Sequence, residues 1–467
     1  MTLFEGEPLS NVDAAWLHME TPTNLMQIAG VMSFDEKLEF SALKEVIEDR
    51  LLSYERFRQR VEESALPMVG PRWVDDTHFN LRSHLQRVAL PDPGGQHELQ
   101  EMVSSLMSTP LDNSKPLWQF QYIENYRGGS AVVARIHHCI ADGVALIRVL
   151  LGLTDDSPTG SPKTRPTRRR RQPLGGGLWL PEVVNDALSS ARKLTGRLLE
   201  EGLEAVLDPA RTGEILSEGA KGAGVLANLA AMPSDPDTLF KGALGTAKRC
   251  AWSEVLPLEQ VKAFSKREGA TINDVLLAGV AGALRRYMIG RKAEVDGVDF
   301  RAVVPVNLRP ESDTITLGNK FGMVFLQLPI GVADRRGRLR ELKRRMDAIK
   351  TSSEPLVIFG LLGVVGMAGP EVESLALQFF GSKATAVMTN VPGPRQEIYF
   401  AGKAMRSMMF WVPQAAKLGL GVSILSYAGQ VRLGVVADAG LVPDPEAIIE
   451  AFEEEMRAMM TDTESAC

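Results

Sequence analysis

At 467 residues the chain is too long for a single hydrophobic core, which stops growing at about 250 to 300 residues, so we expect two domains. The net charge of −6 gives no reason to expect a nucleic-acid partner, because that function needs a concentrated basic face. The three cysteines show no Cys-x-x-Cys spacing, which argues against a disulfide framework or a thiolate zinc site and favours a reducing cytoplasm.

Neither a signal peptide nor a membrane-spanning helix is expected. The segment from Met1 to Asp13 carries acidic residues and lacks both a basic start and an apolar run. The most apolar stretch, Pro355 to Ala368, is shorter than the roughly 20 residues that a spanning helix needs, and it predicts a buried or interfacial helix. We therefore expect a cytoplasmic protein.

Helical and strand periodicities alternate in the first half, which predicts an α/β layout. The predicted elements are a helix from Phe40 to Leu51, a helix from Leu99 to Leu106, strands from Trp118 to Tyr122 and from Ala131 to Ile136, and a helix from Val144 to Leu153. The segment His137-His138-Cys139-Ile140-Ala141-Asp142-Gly143 therefore lies in a strand-to-helix turn. Such turns open to a cleft yet are held by rigid elements, which suits a catalytic group.

A change of composition divides the chain. The stretch from Asp155 to Pro173 is rich in Ser, Pro, Thr and Arg, including Arg168–Arg171, and we interpret it as a solvated tether, with contact to an anionic bilayer as the alternative. Pro181 to Ala231 predicts a helical connector, in which Gly222–Ala227 is interpreted as small-residue packing because no strand precedes it. The predicted domains are residues 1–155 and 236–467, with the linker and connector over 156–235.

The second half repeats the α/β order, which is compatible with a pseudo-duplicated fold. Thr271-Ile272-Asn273-Asp274 resembles a capping box, so Asn273 is placed in the first turn of a helix. The remaining predicted elements are a strand from Phe300 to Val306, a helix from Leu339 to Ile349, a hairpin of strands over 422–425 and 431–436, and a last helix that begins after Asp444-Pro445.

The histidine pair is the sharpest chemical signal, because an imidazole in a cleft can accept a hydroxyl proton near neutral pH without a cofactor. The apolar neighbours Ile136 and Ile140 favour the neutral ring, and Asp142 is expected to fix the turn by pairing with an arginine. A pair of half-buried turn histidines is the alternative reading. A metal site is a weaker one, since no third ligand motif accompanies the pair.

The sequence resembles the bacterial wax ester synthase/diacylglycerol acyltransferase family, within the superfamily of condensation domains and chloramphenicol acetyltransferase. The resemblance covers most of the chain and rests on six segments in order. They are the segment from Pro8 to Trp16, Pro116-Leu117-Trp118, the His-His-x-x-x-Asp-Gly segment 137–143, Asn273–Ala278 with Val304–Pro310, and Asn390–Pro394. One departure is Met26-Gln27-Ile28-Ala29-Gly30, where the family often has Met-His-Val-Gly, and it leaves the acceptor pocket open.

The resemblance implies an α/β protein of two chloramphenicol acetyltransferase-like domains, each a mixed sheet flanked by helices, with a tunnel between them. It implies His138 as general base, Asp142 as a structural member of the catalytic set, and Asn273 as the group that positions the acyl carbonyl or oxyanion. The substrate-binding candidates are His137, Gly143, Asp274 and Arg309. We further hypothesise that Arg309 pairs with Asp142, that Asp274 caps its helix, and that Trp118 and Pro392-Gly393-Pro394 serve packing and turn geometry.

The activity implied is transfer of an acyl group from long-chain acyl-CoA, a substrate rather than a cofactor, to a fatty alcohol or a diacylglycerol. No metal and no nucleic acid are implied, and peripheral contact with the inner membrane or lipid droplets is left open. Two alternatives are a condensation-type acyltransferase with another acceptor and a non-catalytic lipid-binding protein. Cys139 is the obvious nucleophile to exclude, since direct transfer requires no acyl-enzyme.

Overall fold

The structure is a computed structural model that describes residues 6–63, 70–160, 228–309, 317–350, 354–366, 370–416 and 418–461, together with residues 225 and 352. The predicted tether beyond residue 160, with Arg168–Arg171, lies outside the described residues. So does the predicted helical connector up to residue 224.

Strands of the described residues form two large sheets and two small ones. In chain order they are β1 (Glu7–Pro8), β2 (Gln27–Phe34), β3 (Gln59–Glu62), β4 (Arg72–Asp75), β5 (Leu85–Val88), β6 (Trp118–Ile123), β7 (Ser130–His137), β8 (Thr154–Asp155), β9 (Lys248–Trp252), β10 (Leu256–Pro257), β11 (Phe300–Asn307), β12 (Phe321–Leu328), β13 (Ala386–Pro392), β14 (Tyr399–Phe400), β15 (Lys403–Ala404), β16 (Ser407–Trp411), β17 (Leu420–Tyr427) and β18 (Gln430–Asp438).

Helices flank both large sheets. In chain order the helices used below are α1 (Asn11–His18), α2 (Phe40–Asp49), α3 (Gln96–Met107), α4 (Gly143–Leu153), α5 (Leu258–Arg267), α6 (Ile272–Gly290), α7 (Arg335–Lys350), α8 (Glu354–Val365), α9 (Pro370–Lys383) and α10 (Pro445–Thr461). The helices and strands predicted in both halves are confirmed, with ends that shift by a few residues, as expected where helix ends fray.

The first sheet has the order β16–β2–β7–β6–β5, and only β5 and β6 run parallel. Strand β7 is its apolar centre, and every residue of it except Ala134 is buried. A strand covered on both faces has no need of polar alternation, which explains the continuous run Ala131-Val132-Val133. The strand therefore delivers its last residue, His137, to the sheet edge from a rigid position.

The second sheet has the order β10–β18–β17–β13–β11–β12, and β9 also pairs with β18. Strand β13 runs parallel to both of its neighbours, β11 and β17, and the other pairs are antiparallel. Helices α6 and α10 cover this sheet, and α6 is buried without interruption from Asp274 to Leu284. The result is a mixed sheet flanked by helices.

The second half contributes a strand to the sheet of the first half. Strand β16 follows the strands of the second half in sequence, yet it pairs antiparallel with β2 at the edge of the first sheet, from Ser407 opposite Ser33 to Trp411 opposite Ala29. In a smaller contact of the same kind, β14 of the second half pairs antiparallel with β8 of the first half. The first sheet is thus completed by a strand that begins more than 250 residues after β7 ends.

The apolar stretch predicted as a buried or interfacial helix forms α8, which packs between α1 and β12. Two glycines permit this approach, because a Cβ on Gly366 would lie 1.7 Å from the carbonyl oxygen of Asn11, and one on Gly322 would lie 2.0 Å from that of Pro355. Among the helices of the described residues, none combines the length and the apolar character that crossing a membrane requires.

Candidate active site

The histidine motif occupies the turn between β7 and α4, as predicted. Strand β7 ends at His137, and Asp142 is the N-cap of α4, where its Oδ1 accepts a hydrogen bond from Ala145 N at 2.9 Å. An N-cap carboxylate satisfies a free amide of the first turn and interacts favourably with the helix dipole. The cap therefore fixes where α4 begins and how the preceding residues leave the strand.

The hypothesised pair between Asp142 and Arg309 is confirmed. The Nη2 and Nε atoms of Arg309 donate to Oδ2 of Asp142 at 2.9 and 3.2 Å, and the amide of Lys320 donates to the same oxygen at 2.9 Å. Both side chains are buried. With Oδ1 on the helix cap and Oδ2 on Arg309 and Lys320, the carboxylate of Asp142 has a structural role.

A segment of the second half, Leu317–Lys320, lies across the motif, and we name it the crossing segment. Gly318 bridges Ala141 in parallel register, and its amide donates to the carbonyl of Ile140 at 2.9 Å. Asn319 Nδ2 donates to the carbonyl of His138 at 2.8 Å. The main chain of the motif is therefore held from the second half at two points.

The imidazole of His138 is buried between aromatic rings. The indole of Trp16, from α1, stacks on it with ring centroids 4.2 Å apart and an interplanar angle of 19°. Phe321, from β12, lies on the ring at a centroid distance of 5.6 Å. Only 4% of the residue is exposed, so the ring is shielded from bulk water.

This burial keeps His138 neutral. Removal from water disfavours the imidazolium and lowers the pKa of His138 to about 4, although the Asp142 carboxylate acts in the opposite direction. Near pH 7 the ring therefore carries a free lone pair. Its Nδ1 is buried without a hydrogen-bond partner among the described residues, so the protein leaves part of its bonding capacity unused.

His137 has a different environment. Its Nδ1 accepts a hydrogen bond from the amide of Cys139 at 3.1 Å, and its Nε2 lies 3.2 Å from Oε2 of Glu20. Burial acts to raise the pKa of Glu20, but the bonds from His137 and the amide of Met26 lower it overall. Both ring nitrogens of His137 are thus occupied by protein groups, and its role in substrate binding stays a prediction.

Cys139 is unsuited to nucleophilic attack. The residue is 1% exposed, and burial raises the pKa of its thiol well above the ordinary range. The thiolate is the reactive form of cysteine, and this environment suppresses it. The geometry therefore offers no activated sulfur within the motif.

Two further motifs meet at the start of α6. Thr271 and Asp274 form the predicted capping box, in which Thr271 N donates to Asp274 Oδ2 at 2.9 Å and Asp274 N donates to Thr271 Oγ1 at 3.1 Å. Asn273, in the same turn, accepts a hydrogen bond at Oδ1 from Asn390 Nδ2 at 2.8 Å. The capping role of Asp274 is confirmed, and its role in substrate binding stays a prediction.

An apolar cavity of ≈ 100 Å³ lies beside the motif. It follows one face of α4 through Gly143, Leu146, Leu150 and Leu153, roughly 15 Å at the helical rise of about 1.5 Å per residue. Its lining residues are all apolar or glycine, and they include Val391 and Met408 of the second half. Residues of both halves therefore surround one apolar space, which includes Gly143 of the motif in its lining.

The residues predicted to serve packing do so. Trp118 is 1% exposed, stacks on His84 at 4.6 Å and donates from Nε1 to the carbonyl of Phe57 at 2.9 Å. Gly393, directly after β13, donates its amide to the carbonyl of Ser426 in β17 at 2.8 Å, which continues the pairing of these two strands. The packing role of Trp118 is confirmed, and the turn role of Pro392-Gly393-Pro394 stays a prediction.

Comparison with known proteins identifies the family. The profile of the wax ester synthase/diacylglycerol acyltransferase catalytic domain matches residues 9–276, and that of the C-terminal domain of the same proteins matches residues 317–460. The chain belongs to this family. It is therefore an acyl-CoA-dependent O-acyltransferase, as the resemblance implied.

Relatives of the family match over nearly the whole chain. A protein of Mycobacterium tuberculosis named as a diacylglycerol O-acyltransferase is 29% identical, with 97% of this chain and 90% of the relative covered. The wax ester synthase/diacylglycerol acyltransferase of Marinobacter aquaeolei VT8 has a similar structure, with a TM-score of 0.68 and 22% identity over 98% of this chain and 99% of that one. The starter condensation domain of rhizomide synthetase has a TM-score of 0.57 and 13% identity, with 97% and 93% covered. The predicted two-domain fold is confirmed.

Several residues of this acyltransferase site were missed from the sequence. Asp13 and Trp16 were quoted as parts of a motif without a role, and Glu20 and Asn319 were not singled out. The departure at Gln27 is now explained, because its side chain donates to the carbonyls of Leu106 and Thr109 at the end of α3, each at 3.2 Å. The neighbouring Ile28, and not Gln27, lines the apolar cavity.

Proposed function

We propose that this enzyme transfers a long-chain acyl group from acyl-CoA directly to the hydroxyl of a fatty alcohol or a diacylglycerol, with His138 as general base. The observation that carries the proposal is the contrast between the two histidines. His138 is neutral and has a ring nitrogen, Nδ1, without a hydrogen-bond partner in the part of the chain that the structure describes, whereas both ring nitrogens of His137 are engaged. A general base needs a free lone pair, and His138 supplies it.

In the proposed reaction an imidazole nitrogen of His138 takes the hydroxyl proton while the oxygen attacks the thioester carbonyl. The carbon–sulfur bond then breaks, and the imidazolium returns the same proton to the departing CoA thiolate. One ester and one free thiol result, and the base is restored. The indole of Trp16, stacked on the ring, and the Asp142 carboxylate favour the transient imidazolium.

For stabilisation of the developing oxyanion we propose Asn273. Its Oδ1 is engaged by Asn390, so Nδ2 remains as the donor that can face a carbonyl oxygen. A preorganised donor of this kind contributes about 10²- to 10³-fold to the rate in acyl transfer. Arg309 acts on the substrate only through the position of Asp142 in this scheme. Gly143 leaves space in the cavity lining, because no atom of the described residues lies within 4 Å of where its Cβ would be, apart from its chain neighbours and the backbone of its own helix.

The acyl chain is proposed to occupy the apolar cavity along α4. The cavity is lined by Gly143, the last residue of the histidine motif, and offers an apolar lining to a chain that gains about 0.8 kcal/mol for each buried methylene. The condensation domain of rhizomide synthetase, which is similar in structure, was solved in complex with C8-CoA, and this supports an acyl-CoA as the donor. We propose that donor and acceptor enter between the two halves through a tunnel.

Peripheral contact with a lipid surface is proposed through α9. Leu375 is 65% exposed, and the half-buried Phe379 lies four residues further on the same helix face. Exposed apolar groups of this size on one face favour an interface with lipid. Flotation with anionic vesicles should retain the wild-type protein and lose the Leu375→Glu variant, while equal flotation of both would refute this surface.

The reaction is tested by release of CoA thiol from palmitoyl-CoA in the presence of hexadecanol or dipalmitoylglycerol, with the ester confirmed by chromatography. We expect acceptor-dependent ester from the wild type and almost none from His138→Ala. The matched control is His84→Ala, which removes another buried histidine that stacks on Trp118 in the packing core. Ester formation in the control establishes that the loss belongs to the site.

Two other results would each point to a different function. Thiol release with an amine or a polyketide-type alcohol, but not with hexadecanol or diacylglycerol, would indicate a condensation-type acceptor. Binding of palmitoyl-CoA without turnover, unaffected by His138→Ala, would indicate a lipid-binding protein on this fold. Either result would overturn the proposed acceptor class or the proposed chemistry.

A further inference from the structure

The carboxylate of Asp13 connects α1 to the crossing segment. Its Oδ1 accepts hydrogen bonds from the amide of Asn319 at 2.9 Å and from Nδ2 of the same residue at 2.7 Å. Its Oδ2 accepts from Ser10 Oγ at 2.7 Å. Both Asp13 and Asn319 are buried, so these bonds form where unpaired polar groups cost about 1 to 3 kcal/mol.

Asn319 extends this contact to the catalytic motif. The Nδ2 group that binds Asp13 also donates to the carbonyl of His138 at 2.8 Å. On the other side of the motif, the amide of His138 donates to the carbonyl of Met26 at 2.7 Å. The main chain of His138 is thus held at both of its polar groups, one by Met26, directly before β2, and the other by the crossing segment.

Helix α1 contacts His138 by two routes. Trp16 stacks on the imidazole, and Asp13, three residues earlier and on the same helix face, reaches the His138 carbonyl through Asn319. Both the ring and the main chain of His138 are therefore positioned by the same helix, α1. A displacement of about 1 Å at a reacting group can cost about a hundredfold in rate, so such double anchoring has a catalytic consequence.

We propose that Asp13 and Asn319 form a positioning pair that sets the orientation of His138 for proton transfer and makes that orientation depend on docking of the crossing segment against α1. The proposal rests on the proposed function for its kinetic consequence, while its structural part stands without it. Neither residue touches substrate in this scheme. The crossing segment belongs to the second half and α1 to the first. The orientation of His138 for proton transfer therefore depends on the contact between the two halves.

Geometry rather than charge is what the pair supplies. Burial raises the pKa of Asp13, although its hydrogen bonds and Arg56 lower it, so the site does not favour a charge for its own sake. All the bonds that Asp13 makes at Oδ1 are ones in which it accepts, and an asparagine oxygen can accept them equally. The isosteric variant Asp13→Asn therefore preserves the contact, whereas Asp13→Ala removes it.

The test compares Asp13→Ala, Asn319→Ala and Asp13→Asn in the full chain. We expect kcat for ester formation to fall about a hundredfold in the two alanine variants, with KM for palmitoyl-CoA nearly unchanged and with the wild-type shape of the pH profile. Asp13→Asn should retain most of kcat. The control is Asp235→Ala, which removes a buried aspartate that accepts from the amide of Arg301 at 3.0 Å in the second sheet.

A second readout does not depend on activity. Hydrogen exchange followed by mass spectrometry should show faster exchange over the peptide 134–143 in Asp13→Ala and Asn319→Ala, and wild-type exchange there in Asp13→Asn and Asp235→Ala. If the wild type forms no ester, the proposed function fails while this exchange pattern still decides the pair. Unchanged exchange and kcat in the alanine variants, or a kcat loss in Asp13→Asn equal to that in Asp13→Ala, would overturn the inference.

Discussion

The guanidinium of Arg309 donates from both Nη2 and Nε to a single oxygen of Asp142, at 2.9 and 3.2 Å, while the other oxygen of that carboxylate caps α4. One carboxylate thus joins a strand end in the second half to a helix start in the first. The bonds of the motif aspartate therefore have a structural role, because they connect the two halves.

Arg309→Met should destabilise the protein strongly, because it leaves the Asp142 carboxylate buried without its cation. Loss of one partner of a buried pair costs about 3 to 5 kcal/mol, measured as the free energy of unfolding in denaturant. The control is Asp35→Ala, which breaks an exposed pair with Arg406 and should cost less than about 1 kcal/mol. A loss for Arg309→Met no larger than that of the control would contradict the structural role of the pair.

The two histidines should separate by their effects. His138→Ala should lower kcat by about 10²- to 10⁴-fold, because it removes the base, while circular dichroism shows a folded protein. His137→Ala should lower the free energy of unfolding by about 1 to 3 kcal/mol, because Glu20 and the Cys139 amide lose their buried partner. Its effect on kcat should be much smaller, and the reverse ranking of the two variants would refute the assignment of the base.

The pH dependence follows from the low pKa of His138, about 4. A histidine with the ordinary pKa of about 6.5 would lose roughly tenfold of its neutral form between pH 7.5 and pH 5.5, whereas His138 should lose little. The initial rate at subsaturating palmitoyl-CoA should therefore stay nearly level over this range. The contrary result is an initial rate that falls with a midpoint near pH 6.5, with His138→Gln as the one variant that abolishes this midpoint. That result would show that the ring is not held neutral by burial.

The pH dependence of the unfolding free energy gives a second test of the low pKa of His138. The unfolded chain binds the proton of His138 below about pH 6.5, and the folded chain binds it only near pH 4. The unfolded state therefore holds more protons between these values, and stability falls as the pH drops through that window. His138→Gln should show a shallower fall of the unfolding free energy between pH 7 and pH 5 than the wild type, and equal slopes would contradict this linkage.

Cys139→Ala should retain activity, because burial keeps the thiol protonated and no covalent step is proposed at sulfur. Intact-protein mass spectrometry during turnover with palmitoyl-CoA should detect no acylated protein. An acyl adduct that is present in the wild type and absent from Cys139→Ala would replace direct transfer by a two-step mechanism.

The cavity along α4 should set the acyl-chain preference. Leu150→Trp adds volume to its lining, and we expect the rate with palmitoyl-CoA to fall about tenfold or more relative to octanoyl-CoA, because the longer chain must reach further along the helix. Ile289→Trp, at an exposed position near the end of α6, is the matched control. An unchanged preference in Leu150→Trp would place the acyl chain elsewhere.

Local patterns sufficed for much of the fold. The continuous apolar run of β7, the apolar helical period of α4 and the capping box at Thr271 each determine their element through neighbours in sequence, so they could be predicted. The cap that Asp142 forms on α4 was not predicted. The pairing of Arg309 with Asp142 could be inferred as well, since a buried carboxylate at a turn requires a cation and the family motifs place an arginine in the second half.

The rest depends on contacts that no local pattern encodes. Asn319 and His138 are 181 residues apart, and neither the amide nor its position in the chain indicates that it binds a histidine carbonyl. Strand β16 has an apolar pattern that fits either sheet, so its place beside β2 is decided by tertiary packing. Nδ1 of His138, which has no partner among the described residues, and the occupied ring of His137 are likewise results of three-dimensional placement.

The late position of β16 in the sequence has a consequence for synthesis of the protein on the ribosome. Strand β7 ends at His137, and β16, which closes the other side of β2, begins at Ser407, about 270 residues later. At about 5 to 20 residues per second, roughly 15 to 50 s pass during which the outer edge of β2 has no partner on the nascent chain. An open strand edge is a template for pairing with other chains, so this enzyme has to be shielded while it is being made, and fragments that stop before Trp411 should precipitate when they are produced alone.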